Sequence, residues 1–135
     1  MNTSRFSGLS LLLCLNFGLS LSQKMSGLHS VAYVTAPSEE VAKKLARGVV
    51  QEKLAACVNI IPKITSIYEW KNEINEDQEV MLIIKSRTSR IPELSNYIKA
   101  NHPYEVCEVI STKIEDGNPD YLSWISSVVP PKKDC

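Results

Sequence analysis

The chain has 135 residues, 44% of them hydrophobic, with 15 Lys and Arg against 15 Asp and Glu. That is enough for one domain with a single core, with no need of metal or disulfide staples. The cancelled charge excludes the basic excess that holds nucleic acid, and no long like-charge run suggests a polyanion-binding tail.

Residues 1–23 read as a leader. Arg5 supplies one positive charge, residues 9–21 are largely apolar, and Ser20 and Ser22 place small residues before a cut ahead of Gln23. The apolar run is shorter than the roughly 20 residues that span a bilayer, so no transmembrane span is expected. The leader predicts entry into the secretory pathway, whereas an internal start at Met25 predicts a cytoplasmic form. If Cys14 leaves with the leader, Cys57, Cys107 and Cys135 remain, an odd count that leaves at least one thiol unpaired within the chain. Cys57 and Cys107 lie in apolar runs, which predicts buried free thiols.

The β-branched run from Ser30 to Thr35, ended by Pro37, predicts a strand. Ser38 with Glu39 and Glu40 reads as a capped helix start. The stripe Val41, Ala42, Leu45, Ala46, Val49, Val50 and Leu54 carries that helix to about Lys53. Ala55 to Tyr68 is a long β-type stretch in which Pro62 marks an edge, a bend or a bulge. Lys71 to Asp77 reads as a polar turn, and Glu79 to Lys85 as an apolar strand with both faces covered. The flanking strands predict an antiparallel hairpin. Ser89 is expected to cap a second helix, Ile91 to Ala100, with Pro92 in its first turn and Ile91, Leu94, Tyr97 and Ile98 inward. Pro103 ends it, and Tyr104 to Ile114 reads as a fourth strand. A turn at Asp116–Pro119 leads to a short helix from Asp120 to Val129.

The order strand, helix, strand, strand, helix, strand predicts an α+β fold, the ferredoxin-like split βαβ sandwich with an antiparallel sheet and a short C-terminal helix. The domain is expected over residues 29–129, with a flexible tail at 130–135. The usual strand order puts the second and fourth strands on opposite edges, which keeps Cys57 and Cys107 too far apart to bridge.

Five segments carry a resemblance: Val34-Thr-Ala-Pro37, Gln51-Glu-Lys-Leu-Ala-Ala-Cys-Val-Asn59, Ile67-Tyr-Glu-Trp-Lys71, His102-Pro-Tyr-Glu105 and Asp120-Tyr-Leu-Ser-Trp124. In that order they resemble the CutA family of divalent-cation tolerance proteins. The resemblance implies a homotrimer similar in architecture to the PII signalling proteins, in which the hairpin reaches a neighbouring subunit. It implies divalent-metal, especially copper, tolerance. Copper-binding members resemble one another in a first-strand cysteine and a His-His pair before Pro-Tyr; the matching positions here are Val34, Asn101 and His102. Only His102 is a good ligand, so binding of Cu(II) or another divalent cation is expected to be weak, and no cofactor is required. The alternative for His102 is a helix-end cap. Relatives in mammals are linked to acetylcholinesterase, which makes a secretory-pathway adaptor a further expectation.

Tyr68, Trp70, Lys85, His102, Tyr104, Glu105, Tyr121 and Trp124 fall at element ends or in the hairpin. Such a mixture suits a subunit interface or a PII-like pocket for a small polar effector. No GxSxG elbow, Walker A loop, GxGxxG fingerprint or HExxH helix occurs, so no catalytic residue is assigned and the chain reads as a binding protein, not an enzyme.

Overall fold

A computed structural model describes residues 25–134. The leader at 1–23, Cys14 and Cys135 lie outside the described residues. Four strands and three helices follow in the order β1 (His29–Ala36), α1 (Glu39–Gln51), β2 (Cys57–Trp70), β3 (Glu73–Arg87), α2 (Ile91–Asn101), β4 (Ile110–Lys113) and α3 (Pro119–Val128). The sheet runs β2-β3-β1-β4 with every neighbour antiparallel. This is the expected ferredoxin-like order, with β2 and β4 on opposite edges. Cys57 and Cys107 are free thiols, half-buried and not fully buried as expected, because both sit toward an edge of the layer.

Strand alternation explains the core. Ala32, Val34 and Ala36 pair with Ile84, Leu82 and Val80, and all six are buried on one face of the sheet. Ala42, Leu45, Ala46 and Val49 of α1 and Leu94 and Ile98 of α2 cover that face. Val50, expected in the stripe, turns outward and is exposed, since its neighbour Val49 already fills the inward position. Ser38 caps α1 by accepting from the Val41 N–H at 3.2 Å. Lys53, in the left-handed region at φ 59°, ends it, and the Leu54 N–H returns to the Val49 carbonyl.

Three local expectations need correction. First, the hairpin turn is only Lys71 and Asn72, both at positive φ (51° and 65°). That geometry matches the twist of the flanking strands. Glu73 to Asp77, read as turn, is strand, paired from Trp70↔Glu73 to Ser66↔Asp77. Polar side chains bond across the ladder, Gln78 Nε2 to Thr65 Oγ1 at 2.9 Å and Tyr68 Oη to Asp77. A ladder clear of the core has no apolar face to reveal it. Second, Ser89 is no cap. It lies in a 3-10 turn (Thr88–Arg90), and α2 begins after Arg90 with no side-chain cap. Thr88 forces the turn, because its N–H and Oγ1 are drawn back to the Leu28 and Gly27 carbonyls. Third, β4 is four residues long, not eleven, for a reason that belongs to the site below.

The Pro62 expectation holds as a bulge: Ile61 faces Met81 and Ile64 faces Glu79, so Pro62 and Lys63 together oppose Val80. Beyond it the arm from Ile64 to Trp70 extends about 23 Å at ~3.3 Å per residue. At the other end of the sheet α3 packs on the outer face. Asn118 caps it by accepting from the Asp120 N–H at 3.0 Å, and Leu122, Ile125 and Val129 are buried beneath it.

Gly48, mid-helix in α1, lies under Tyr97 of α2. A Cβ there would fall on the Tyr97 hydroxyl and 2.7 Å from the ring carbon bearing it. Gly48→Ala should therefore lower stability by about 1–3 kcal/mol from overpacking, against a helix-propensity gain of about 1 kcal/mol. Urea unfolding midpoints measure the balance; an equally stable variant would mean the two helices part freely.

Candidate functional site

His102 is the residue around which the site is built. It ends α2 in an extended conformation and is buried. Its Nε2 lies 2.7 Å from the Thr35 carbonyl on β1, and its Nδ1 lies 3.1 Å from the Tyr104 backbone nitrogen. A backbone N–H can only donate, so Nδ1 accepts and Nε2 carries the proton that goes to Thr35. The neutral ring thus bridges the end of α2, the free edge of β1 and the start of the next segment. It also explains the short β4. With His102 on the edge at Thr35, residues 103–109 cannot continue the ladder there, and pairing begins only where Ile110 meets Tyr33.

The displaced segment leaves a groove of roughly 940 Å³ between itself and the arm. Tyr68, Trp70, Asp77, Glu79, Tyr104 and Glu105 line it, with Glu108 on its wall. Glu79 is buried and accepts from the Tyr104 hydroxyl at 3.0 Å. Burial, then the hydrogen bond to the Glu79 carboxylate and the charges of Glu79 and Asp77, push the Tyr104 phenol up to about 12. The Tyr68 phenol is raised as well, first by its bond to Asp77. The groove is therefore acidic and aromatic, and among the described residues its lining contains no lysine, arginine or histidine.

Of the eight residues singled out from sequence, Tyr68, Trp70, Tyr104 and Glu105 meet in this groove, and His102 supports its floor. Lys85, Tyr121 and Trp124 are elsewhere. Lys85 Nζ sits 4.0 Å from Cys57 Sγ, where the two pair across β2 and β3. Tyr121 and Trp124 stack on α3 with centroids 5.4 Å apart, and burial, then Cys57, raise the Tyr121 phenol. Asp77 and Glu79 were not singled out. Glu79 looked like the polar start of a strand and Asp77 like turn, and only the register across the hairpin turns both toward the groove.

The residues do not fit a copper site within one chain. Both His102 nitrogens are engaged, Val34 is apolar core, and the Asn101 amide donates to the Tyr97 carbonyl at 2.8 Å. Cu(II) favours imidazole and thiolate donors, and among the described residues no three His, Cys, Asp or Glu side chains converge on one point.

Residues 30–128 match the family model described as CutA1 divalent ion tolerance protein. The chain is 56% identical over 114 residues to a protein CutA homolog of Xenopus laevis, covering 84% of this chain and 76% of that one. It is 52% identical over 108 residues to human protein CutA, covering 80% of this chain and 60% of the relative, so it spans about six-tenths of the human protein. Among solved structures, CutA1 from Oryza sativa superposes with a TM-score of 0.77 at 44% identity, covering 80% of this chain and 99% of that one.

The phenol of Tyr104 offers a direct check on the groove. Its folded pKa is raised above the ordinary 10, so the stability it contributes is present below pH 10 and lost as pH rises from 10 through about 12. Tyr104→Phe should flatten the fall in thermal stability over that window and remove the latest step from a tyrosinate absorbance titration. Loss of a step near the ordinary 10 instead would place the phenol in solvent.

Proposed function

We propose that this chain, which belongs to the CutA1 divalent ion tolerance family, acts as a homotrimeric binding protein and not as an enzyme, with the β2–β3 arm as its assembly element. The observation that carries this reading is the apolar surface on parts that stand clear of the core. Ile67 and Ile74 on the arm are 68% and 75% exposed, and Val106, in the segment beside the groove, is 67% exposed. Trp70 and Ile110 are exposed as well. Isolated apolar side chains are ordinary on a surface, but aromatic and branched residues concentrated on a projecting ladder are typical of subunit contacts. The open edge of β2 and the shortened β4 add unpaired backbone that a neighbouring chain can satisfy. In such an assembly each arm lies against the next subunit.

The groove favours a second reading within the same assembly, a pocket for a small polar effector. Tyr68, Tyr104 and Trp70 supply flat apolar walls, and Asp77, Glu79 and Glu105 supply directed acceptors. The non-enzymatic reading is supported by His102, whose two ring nitrogens are both committed to the backbone and so cannot move a proton for a substrate. Divalent cations, on this reading, meet the protein weakly and without His102 as an anchor.

Light scattering on the purified chain should give three times the 15.1 kDa chain mass, and the double variant Trp70→Ser, Ile74→Asp should reduce it to one chain at micromolar concentration. A wild-type monomer would overturn the assembly. Calorimetric titration with Cu(II) should show only weak binding, the same for wild type and His102→Gln. A tight site lost in the variant would make His102 a ligand after all.

A further inference from the structure

The end of the sheet opposite the arm holds a buried imidazole with no part in the groove. His29 is fully buried on the outer face of β1, where its Nε2 lies 2.7 Å from Ser126 Oγ on α3. Its Nδ1 is also buried and has no hydrogen-bond partner among the described residues. Arg87 is its register partner across the sheet. The Arg87 guanidinium donates through Nε to the Val129 carbonyl and through Nη2 to the Ser126 carbonyl, each at 2.8 Å. Both residues therefore grip the last turn of α3, the turn that buries Ile125 and Val129.

Among the described residues the charge acting on this ring is that of Arg87. From β3 the group facing the ring is Arg87. Just past β4, the Ile114 N–H donates to the His29 backbone carbonyl at 2.9 Å. Lys113 pairs with Ser30 and so lies on the other face of the sheet. From α3 it is Ser126, while the helix's acid, Asp120, stands at the far end. Arg90 holds the Pro130 carbonyl and has Glu93 as its own partner. Among the described residues no carboxylate pairs with Arg87.

We propose that His29 is an acid-sensitive latch: protonating its buried ring sets a second positive charge beside Arg87, makes donors of both ring nitrogens with an acceptor for only one, and releases α3 from the sheet. Burial, and then the Arg87 charge, hold the docked imidazole below its ordinary 6.5. In the released state the ring is solvated and titrates near 6.5. Docking is therefore at full strength above about pH 6.5 and weakens as pH falls toward the lowered docked value, by up to about tenfold per pH unit for a single proton. Release uncovers Leu122, Ile125 and Val129 together with the outer sheet face that they cover.

Hydrogen exchange of the full chain, followed by mass spectrometry on peptides covering residues 119–129, tests this. After correction for intrinsic exchange, opening of α3 should rise measurably between pH 7.5 and 5.0, with α1 unchanged. His29→Gln keeps a neutral donor for Ser126 and should hold opening constant. Constant opening in wild type, or a parallel rise in the variant, overturns the latch. Should the variant fail to fold, the wild-type His29 resonance decides. Its NMR titration midpoint should coincide with the midpoint of α3 opening, and a ring that stays neutral while α3 opens overturns the proposal.

Discussion

From His29↔Arg87 to Ala36↔Val80, β1 and β3 pair without interruption over eight positions, and most of the molecule follows from that ladder. Strand alternation then sends Ala32, Val34, Leu82 and Ile84 to one face, where α1 and α2 bury them, and His29 and Arg87 to the other, where α3 docks. A one-residue slip would exchange the two faces and put an arginine and a histidine into the apolar layer. The register is thus held by the high cost of burying the Arg87 charge and the gain from burying the small and branched side chains.

The edges of this ladder carry the less regular parts. On one side His102 takes the Thr35 carbonyl and stops β4 from running further, which opens the groove; on the other the Pro62–Lys63 bulge swings β2 and β3 out as an arm. Both devices are local, a single bridging side chain and one extra residue opposite Val80. They place Asp77, Glu79, Tyr68 and Tyr104 around one cavity although these residues come from three separate stretches of chain. The arm has a cost in a lone chain, since its apolar side chains face water. That cost is the physical ground for reading the arm as part of an assembly.

Much of the fold was legible in the sequence. The α1 stripe, the Ser38 cap, the apolar run of β3 and the turn-forming Asp116-Gly117-Asn118-Pro119 are short-range signals, and each led to the right element. The bulge at Pro62 was legible because proline cannot donate to a ladder. The polar half of β3 was not, because a strand in an exposed arm needs no hydrophobic alternation. Nor was the end of β4: Tyr104 to Val109 has strand composition, and only the His102 bond at the edge of β1 denies it a partner. Of the site, the aromatics and Glu105 were recognised from the Ile67-Tyr-Glu-Trp-Lys71 and His102-Pro-Tyr-Glu105 segments. Within one chain Lys85, Tyr121 and Trp124 lie apart from them, since element ends near in pattern lie at opposite ends of the sheet.

By itself, then, the sequence determined the kind and order of the elements, the apolar face of each, and the family resemblance, because these rest on spacing between residues close in the chain. Tertiary structure alone decided which carboxylates face Tyr68 and Tyr104, that both nitrogens of His102 are spent on backbone, and that His29 is shut in beside Arg87 under α3. Apart from the local contact of His102 with the Tyr104 N–H, those pairings join residues from nine to almost one hundred positions apart, and no periodicity in a single chain encodes which distant groups the register will bring together.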